Sequence, residues 1–177
     1  MLNDTFFEHM VKKDPTLADQ LKKCAILLAA LVIIGICFLF LASQYLNMLA
    51  AAIAGCTGWI AFLLLRLQGL EYEYIVTNGE IDIDKIQGKS KRKRLVTVDV
   101  STITEFAPLD PQNPPQVGDR TRILAAKNMK SKETYVALLD HKELGACILY
   151  FTPSKEMVEY IAHAKKGKRV YVPAMGK

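Results

Sequence analysis

CAILLAALVIIGICFLFLASQYLNMLAAAIAGCTGWIAFLLL, residues 24–65, carries no formally charged side chain. A helix rises about 1.5 Å per residue, so about 20 apolar residues cross a hydrocarbon core of about 30 Å. The stretch is long enough for two crossings, and Ser43, Gln44, Tyr45 and Asn47 interrupt it near the middle. It reads as a transmembrane helical hairpin with spans at about 24–42 and 47–65. Outward from it lie a leader, residues 1–23, and a trailing segment, residues 66–177, the only part large enough to bury a core of its own.

The flanks set the orientation. Lys12, Lys13, Lys22 and Lys23 precede the first span, Arg66 closes the second, and the turn between has no charge. Basic flanks place both termini on the cytoplasmic side of the cell membrane. Asp14 is expected to cap the first helix, with Pro15 in its first turn. Ahead of it, Leu2, Phe6 and Met10, and Phe7 and Val11, recur four apart, which predicts a short amphipathic helix in the leader. A cleaved secretory signal is disfavoured by the acidic leader and by the second apolar segment that follows at once. Ala50, Ala54 and Gly58, with Ala51 and Gly55, form small-residue stripes on the second span, and Ala25 and Ala29 a lesser one on the first, for packing within the hairpin. No ionisable side chain lies within either span, so nothing marks an ion path.

The net charge of +5 arises entirely after residue 65, because four acidic groups balance the leader's four lysines. Such an excess fits an anionic membrane surface or an acidic partner, and solubility alone accounts for it equally well. Cys24, Cys37, Cys56 and Cys147 lie in apolar runs with no CxxC spacing, so neither a zinc site nor a disulfide framework is expected.

Past the spans the period changes to two. Residues 71–77 alternate polar with aromatic or branched side chains, Asn78-Gly79 is a hairpin signal, and residues 80–86 return with isoleucines on one side and carboxylates on the other. Further strands are predicted over 95–100, 101–107, 122–127, 134–140 and 146–152. Pro111, Pro114, Pro115 and Gly118 mark a loop at 109–121. Ser154 caps a helix over 155–165 whose apolar face holds Met157, Val158, Ile161 and Ala164. The expectation is an α+β membrane protein: the helical hairpin, then a seven-stranded antiparallel sandwich or barrel over residues 69–165 closed by a C-terminal helix, then a tail at 166–177.

Two spans followed by Tyr74-Ile75-Val76-Thr77-Asn78-Gly79-Glu80-Ile81, a basic stretch, and Val98-Asp99-Val100-Ser101-Thr102-Ile103 resemble the membrane-anchored bacterial pleckstrin-homology-like (PH-like) proteins, and within them a Gram-positive family of unknown function. The resemblance covers residues 24 to about 107 and implies a PH-like fold. Phosphoinositide-binding relatives of the fold use basic residues around the first hairpin loop. In this sequence that turn is the tight Asn78-Gly79 with acidic Glu80 beside it, so general charge attraction is expected in place of headgroup specificity.

The sharpest electrostatic feature is the run Lys89, Ser90, Lys91, Arg92, Lys93, Arg94, five cations in six residues. Beside a bilayer each cation contributes about 1 kcal/mol toward anionic headgroups. The alternatives are a solvated hairpin tip and an orientation signal for the second span. Nucleic acid is not expected, because no aromatic residues interleave the charges. Gly88-Lys89-Ser90 lacks the glycine five places earlier that a phosphate-binding loop needs, since position 83 is Ile. Asp82 and Asp84 lack the further oxygens of a calcium site and read as a solvated strand face. His9, His141 and His163 have no partners spaced for a triad. The expectation is a non-catalytic, cytoplasm-facing interaction module without cofactor, metal or small-molecule substrate, whose partners are the bilayer and another membrane protein. The exposed sheet face, the loop 109–121 and the tail are its candidate docking surfaces. One alternative is a sensor of membrane charge acting through Lys89, Lys91, Arg92, Lys93 and Arg94, and another is an enzyme whose site has no sequence signature.

Overall fold

The computed structural model describes residues 6–40, 47–115 and 118–164. The chain divides into two compact units. One joins residues 1–14, 70–86 and 90–177, and the other holds residues 15–69 and 87–89.

The second unit is the helix pair, α1 (Leu17–Phe40) and α2 (Asn47–Leu67). Thr16, not Asp14, caps α1: its hydroxyl and the carboxylate of Asp19 exchange the bonds of a capping box, with Thr16 N donating to Asp19 Oδ2 at 3.0 Å and Asp19 N to Thr16 Oγ1 at 3.3 Å. Both helices are long and apolar enough to cross a membrane, and only 6% and 11% of their most apolar windows are buried within the structure. Where α1 and α2 meet, the covered stripe of α2 runs through Ala50, Ala54, Thr57 and Ala61, and that of α1 through Ile26, Ala30, Ile34 and Cys37. The predicted stripes drift off this face. At 3.6 residues per turn a repeat of four rotates away from a fixed line, and Gly55, Gly58, Ala25 and Ala29 end up exposed.

Among the described residues, the first unit is built from eight strands and one α-helix. β1 (Phe6–Lys12), β2 (Leu70–Thr77), β3 (Glu80–Gln87) and β4 (Lys91–Asp99) form one sheet in that order. β5 (Ile103–Pro108), β6 (Thr121–Leu124), β7 (Tyr135–His141) and β8 (Gly145–Phe151) form the other in the order β5-β7-β8-β6. Seven of these strands match the expected positions within a few residues, and β1 adds an eighth. Residues 6–12 of the leader are therefore a strand and not the expected amphipathic helix. It pairs antiparallel with β2 over Phe6↔Thr77 to Lys12↔Glu71. Phe7, His9 and Val11 alternate, and that period of two places Val11 in the core, Phe7 edge-on to Tyr160 at 5.9 Å and His9 stacked on Tyr74 at 6.1 Å. Antiparallel pairing is not universal either, since β6 runs parallel to β8 from Thr121↔Cys147 to Leu124↔Tyr150.

Local chemistry explains the remaining boundaries. Asn78 and Gly79 both take positive φ, 48° and 97°, as a two-residue hairpin turn requires. Between β4 and β5, Asp99 Oδ1 accepts from Ser101 N at 2.7 Å, and a 3-10 turn over Val100–Thr102 carries the chain from one sheet to the other. One cluster fills the space between the sheets, with Tyr74, Ile81, Ile83, Val98, Phe106, Leu149 and Phe151 nearly or wholly inaccessible. α3 (Lys155–Ala164) closes it with Met157, Val158 and Ile161, while Ser154 Oγ accepts from Met157 N at 3.3 Å as its cap. Buried Tyr74 donates to Ala125 O and accepts from Thr152 N at 3.2 Å, and burial pushes its hydroxyl pKa far up.

Candidate functional site

On the first sheet the core takes Tyr72, Tyr74 and Val76 of β2 and Ile81 and Ile83 of β3, so the alternation turns Glu73, Asp82 and Asp84 to the opposite face. β4 brings the basic run alongside. Arg92 Nη2 lies 2.9 Å from both carboxylate oxygens of Glu73, and its Nη1 lies 4.0 Å from Asp84 Oδ2. Arg94 bonds Asp84 through Nε and sits 2.5 Å from Asp82 Oδ1, which also accepts from Thr97 Oγ1 at 2.6 Å. The carboxylates are the enclosed partners, Glu73 being 2% exposed and Asp84 4%, whereas both arginines are about half exposed. The hydrogen bond to Asp84 raises the already high pKa of Arg94. Burial raises that of Glu73 against the pull of Arg92.

Five cations adjacent in sequence thus divide by role. Arg92 and Arg94 neutralise carboxylates of their own sheet. Lys91 and Lys93 are exposed, Lys89 occupies the turn at φ 61°, and these three make no ion pair among the described residues. Asp82 and Asp84, read as a solvated face, are the counter-ions of Arg94. Sequence reasoning missed Glu8 and Glu73 altogether, and the alternation Phe7-His9-Val11 was the signal that would have brought Glu8 onto this sheet.

Among the described residues, three of the concavities on the domain stand out. One of about 480 Å³ lies among His9, Lys132, Tyr135, Thr152, Ser154 and Lys155. Another, about 200 Å³, runs beside the Pro-rich loop between Pro108, Asp110, Pro115, Val136 and Leu138. The last, about 180 Å³, is lined by Glu80, Thr97, Asp99, Asp140 and His141. His141 holds its turn together, Nδ1 accepting from Glu143 N and Leu144 N while Nε2 meets Thr97 O at 3.1 Å. His163 bonds Glu159 O within α3. Cys147 is buried, which raises its thiol pKa. The tail from residue 166 and the turn at 43–46 lie outside the described residues.

A family model described as Bacterial PH-like domain (DUF6106) matches residues 3–171. The chain belongs to this family. The matched range begins ahead of β1 and runs past α3, so the strand that precedes the helix pair falls inside the PH-like family region. No curated protein and no solved structure matches the chain. The described strand order also corrects one step of the sequence reading. The first strand-to-strand connection of this PH-like domain is not Asn78-Gly79 but the link from β1 to β2, and that link contains α1 and α2.

Proposed function

We propose that α1 and α2 anchor the PH-like domain to the cytoplasmic face of the cell membrane, where it works by binding another membrane protein and not by catalysis. One observation carries the reading: β1 precedes the helix pair and β2 follows it, yet the two pair along seven residues, with Lys13 N donating to Leu70 O at 2.9 Å just beyond. Strands paired this way share one aqueous compartment, so helices between them that enter a bilayer must cross it an even number of times or lie within one leaflet. Two helices of spanning length satisfy the first condition. Lys12, Lys13, Lys22, Lys23 and Arg66 at the pair's ends favour the cytoplasm for that compartment. Open concavities and an exposed sheet face favour a docking role.

The test is topological. In a cysteine-free variant, a single cysteine at Gln44 is expected to react with an impermeant maleimide on intact cells, and one at Lys130 only after permeabilisation. Recovery of the full chain in a detergent-free supernatant, or labelling at Lys130 from outside, defeats the reading. Cross-linking in native membranes then identifies the bound protein.

The free lysines favour a second reading, attraction to anionic lipid. With two glycines in place of residues 15–68, the domain is expected to bind vesicles rich in anionic lipid. Changing Lys89, Lys91 and Lys93 to Gln should weaken that binding by about a hundredfold, at about 1 kcal/mol per lysine. Unchanged co-sedimentation of the triple variant removes the lipid reading. Arg92 and Arg94 stay unaltered in this test because they hold the sheet.

A further inference from the structure

We propose that Glu8 and Glu73 form a proton-held latch that fastens β1 to the rest of the sheet and loosens it when the proton leaves. Met10 lies opposite Glu73 in the β1–β2 register, and Glu8 is two residues from Met10 on the same face, the diagonal position from which side chains on neighbouring strands touch. From that diagonal position the two carboxyls lie side by side on one face of the sheet. Two ionised carboxylates are both acceptors, so a bond between them exists only while one of them keeps a proton. Glu73 cannot turn to solvent for relief at 2% exposure. Arg92 does not satisfy it fully: the guanidinium is near both oxygens, but only Oε1 receives a hydrogen bond, and Oε2 is buried without a donor. Glu8 is exposed, which gives the pair its path for proton exchange with water.

The charged groups facing Glu73 come from three strands: Glu8 on β1, Asp84 on β3 and Arg92 on β4. Arg94, also on β4, is taken up by Asp82 and Asp84, so the four carboxylates Glu8, Glu73, Asp82 and Asp84 share two guanidiniums and the site is short of positive charge. Burial first, then the charges of Glu8 and Asp84 and the bond to Glu8, raise the pKa of Glu73, with Arg92 opposing. A carboxyl with a raised folded-state pKa stabilises the fold fully below its ordinary range, and the contribution fades as pH climbs through the raised value. Loosening thus follows a rise in pH. It falls on β1 because that strand is an edge, joined in the sheet to β2 alone. A loosened β1 withdraws Phe7 from Tyr160 and His9 from Tyr74, uncovering an aromatic strip and the free edge of β2.

Hydrogen–deuterium exchange on the full chain in detergent micelles, read as protection factors corrected for intrinsic rates, tests the latch. Between about pH 5 and about pH 9, protection over residues 6–12 is expected to fall relative to β8, the direction that a raised folded-state pKa of Glu73 sets. In Glu73→Gln, whose amide bonds Glu8 at any pH, the fall should vanish. Glu8→Gln, an exposed substitution that leaves the interior intact, should shrink it, since burial still acts on Glu73, and keeps the test decisive if Glu73→Gln does not fold. His9 projects from the other face of β1, so a fall routed through it persists undiminished in both variants and overturns the proposal, as does equal protection at the two pH values in the native chain.

Discussion

A chain beginning at Leu70 is expected not to fold, while one that keeps residues 1–14 and replaces 15–68 with two glycines is expected to melt cooperatively in water without detergent. Paired residues run to Lys12↔Glu71, and Lys13 N bonds Leu70 O, so the two strands end side by side. A four-residue loop of Asp14, two glycines and Gly69 spans such a gap, a length common in hairpins. Asp14 also keeps its own ties, its N donating to Lys127 O at 2.9 Å and its Oδ2 accepting from Asn128 Nδ2 at 3.1 Å. Without β1 the domain loses the burial of Val11, most of that of Phe7 and a seven-residue ladder. Each fully buried side chain of this size contributes about 1.5–3 kcal/mol, against a typical domain stability of about 5–15 kcal/mol. The edge of β2 is left bare as well, which invites aggregation. Circular dichroism melts of the two proteins decide the matter: equal midpoints would show that β1 is dispensable.

That comparison also marks where the sequence was legible. Strands β2 to β8 and α3 were visible because each carries a clean local pattern: isoleucines against carboxylates in β3, Asn-Gly before it, Ser154 ahead of an apolar face in α3. β1 was not, because Phe6, Phe7, Met10 and Val11 satisfy a helical spacing and a strand alternation together, and seven residues are too few to separate the periods. What decides between them is an unpaired edge on β2, more than fifty residues away in sequence. The site was hidden for a related reason. Charge counting gives five cations in six residues, but which of them are free depends on carboxylates of neighbouring strands, one of them enclosed only once the sheet has formed. The turn at Asp99 went unread, since the expected strands ran 95–100 and 101–107 without it, although its cause is local: Asp99 Oδ1 accepts from Ser101 N.

Arg94→Gln is expected to destabilise the domain by about 2 kcal/mol, while Lys93→Gln beside it changes stability by less than about 0.5 kcal/mol. The contrast follows from partners and not from charge, since both substitutions remove one cation from the same strand. Asp84 is 4% exposed and bonded by Arg94 Nε, with Arg92 next nearest at 4.0 Å. Removing one member of a buried pair costs about 3–5 kcal/mol because a charge is stranded, and the half-exposed guanidinium of Arg94 admits enough water to lower that figure. Asp82 and Thr97 lose a partner at the same time, but Asp82 is more accessible and retains the Thr97 hydroxyl. Adding Asp84→Asn to Arg94→Gln should recover most of the loss, because a neutral amide beside another amide strands nothing. Chemical denaturation of the four proteins in a double-mutant cycle measures the coupling, expected at about 1–2 kcal/mol. A coupling near zero would free Arg94 from its structural duty and return it, with the lysines, to the surface available for lipid.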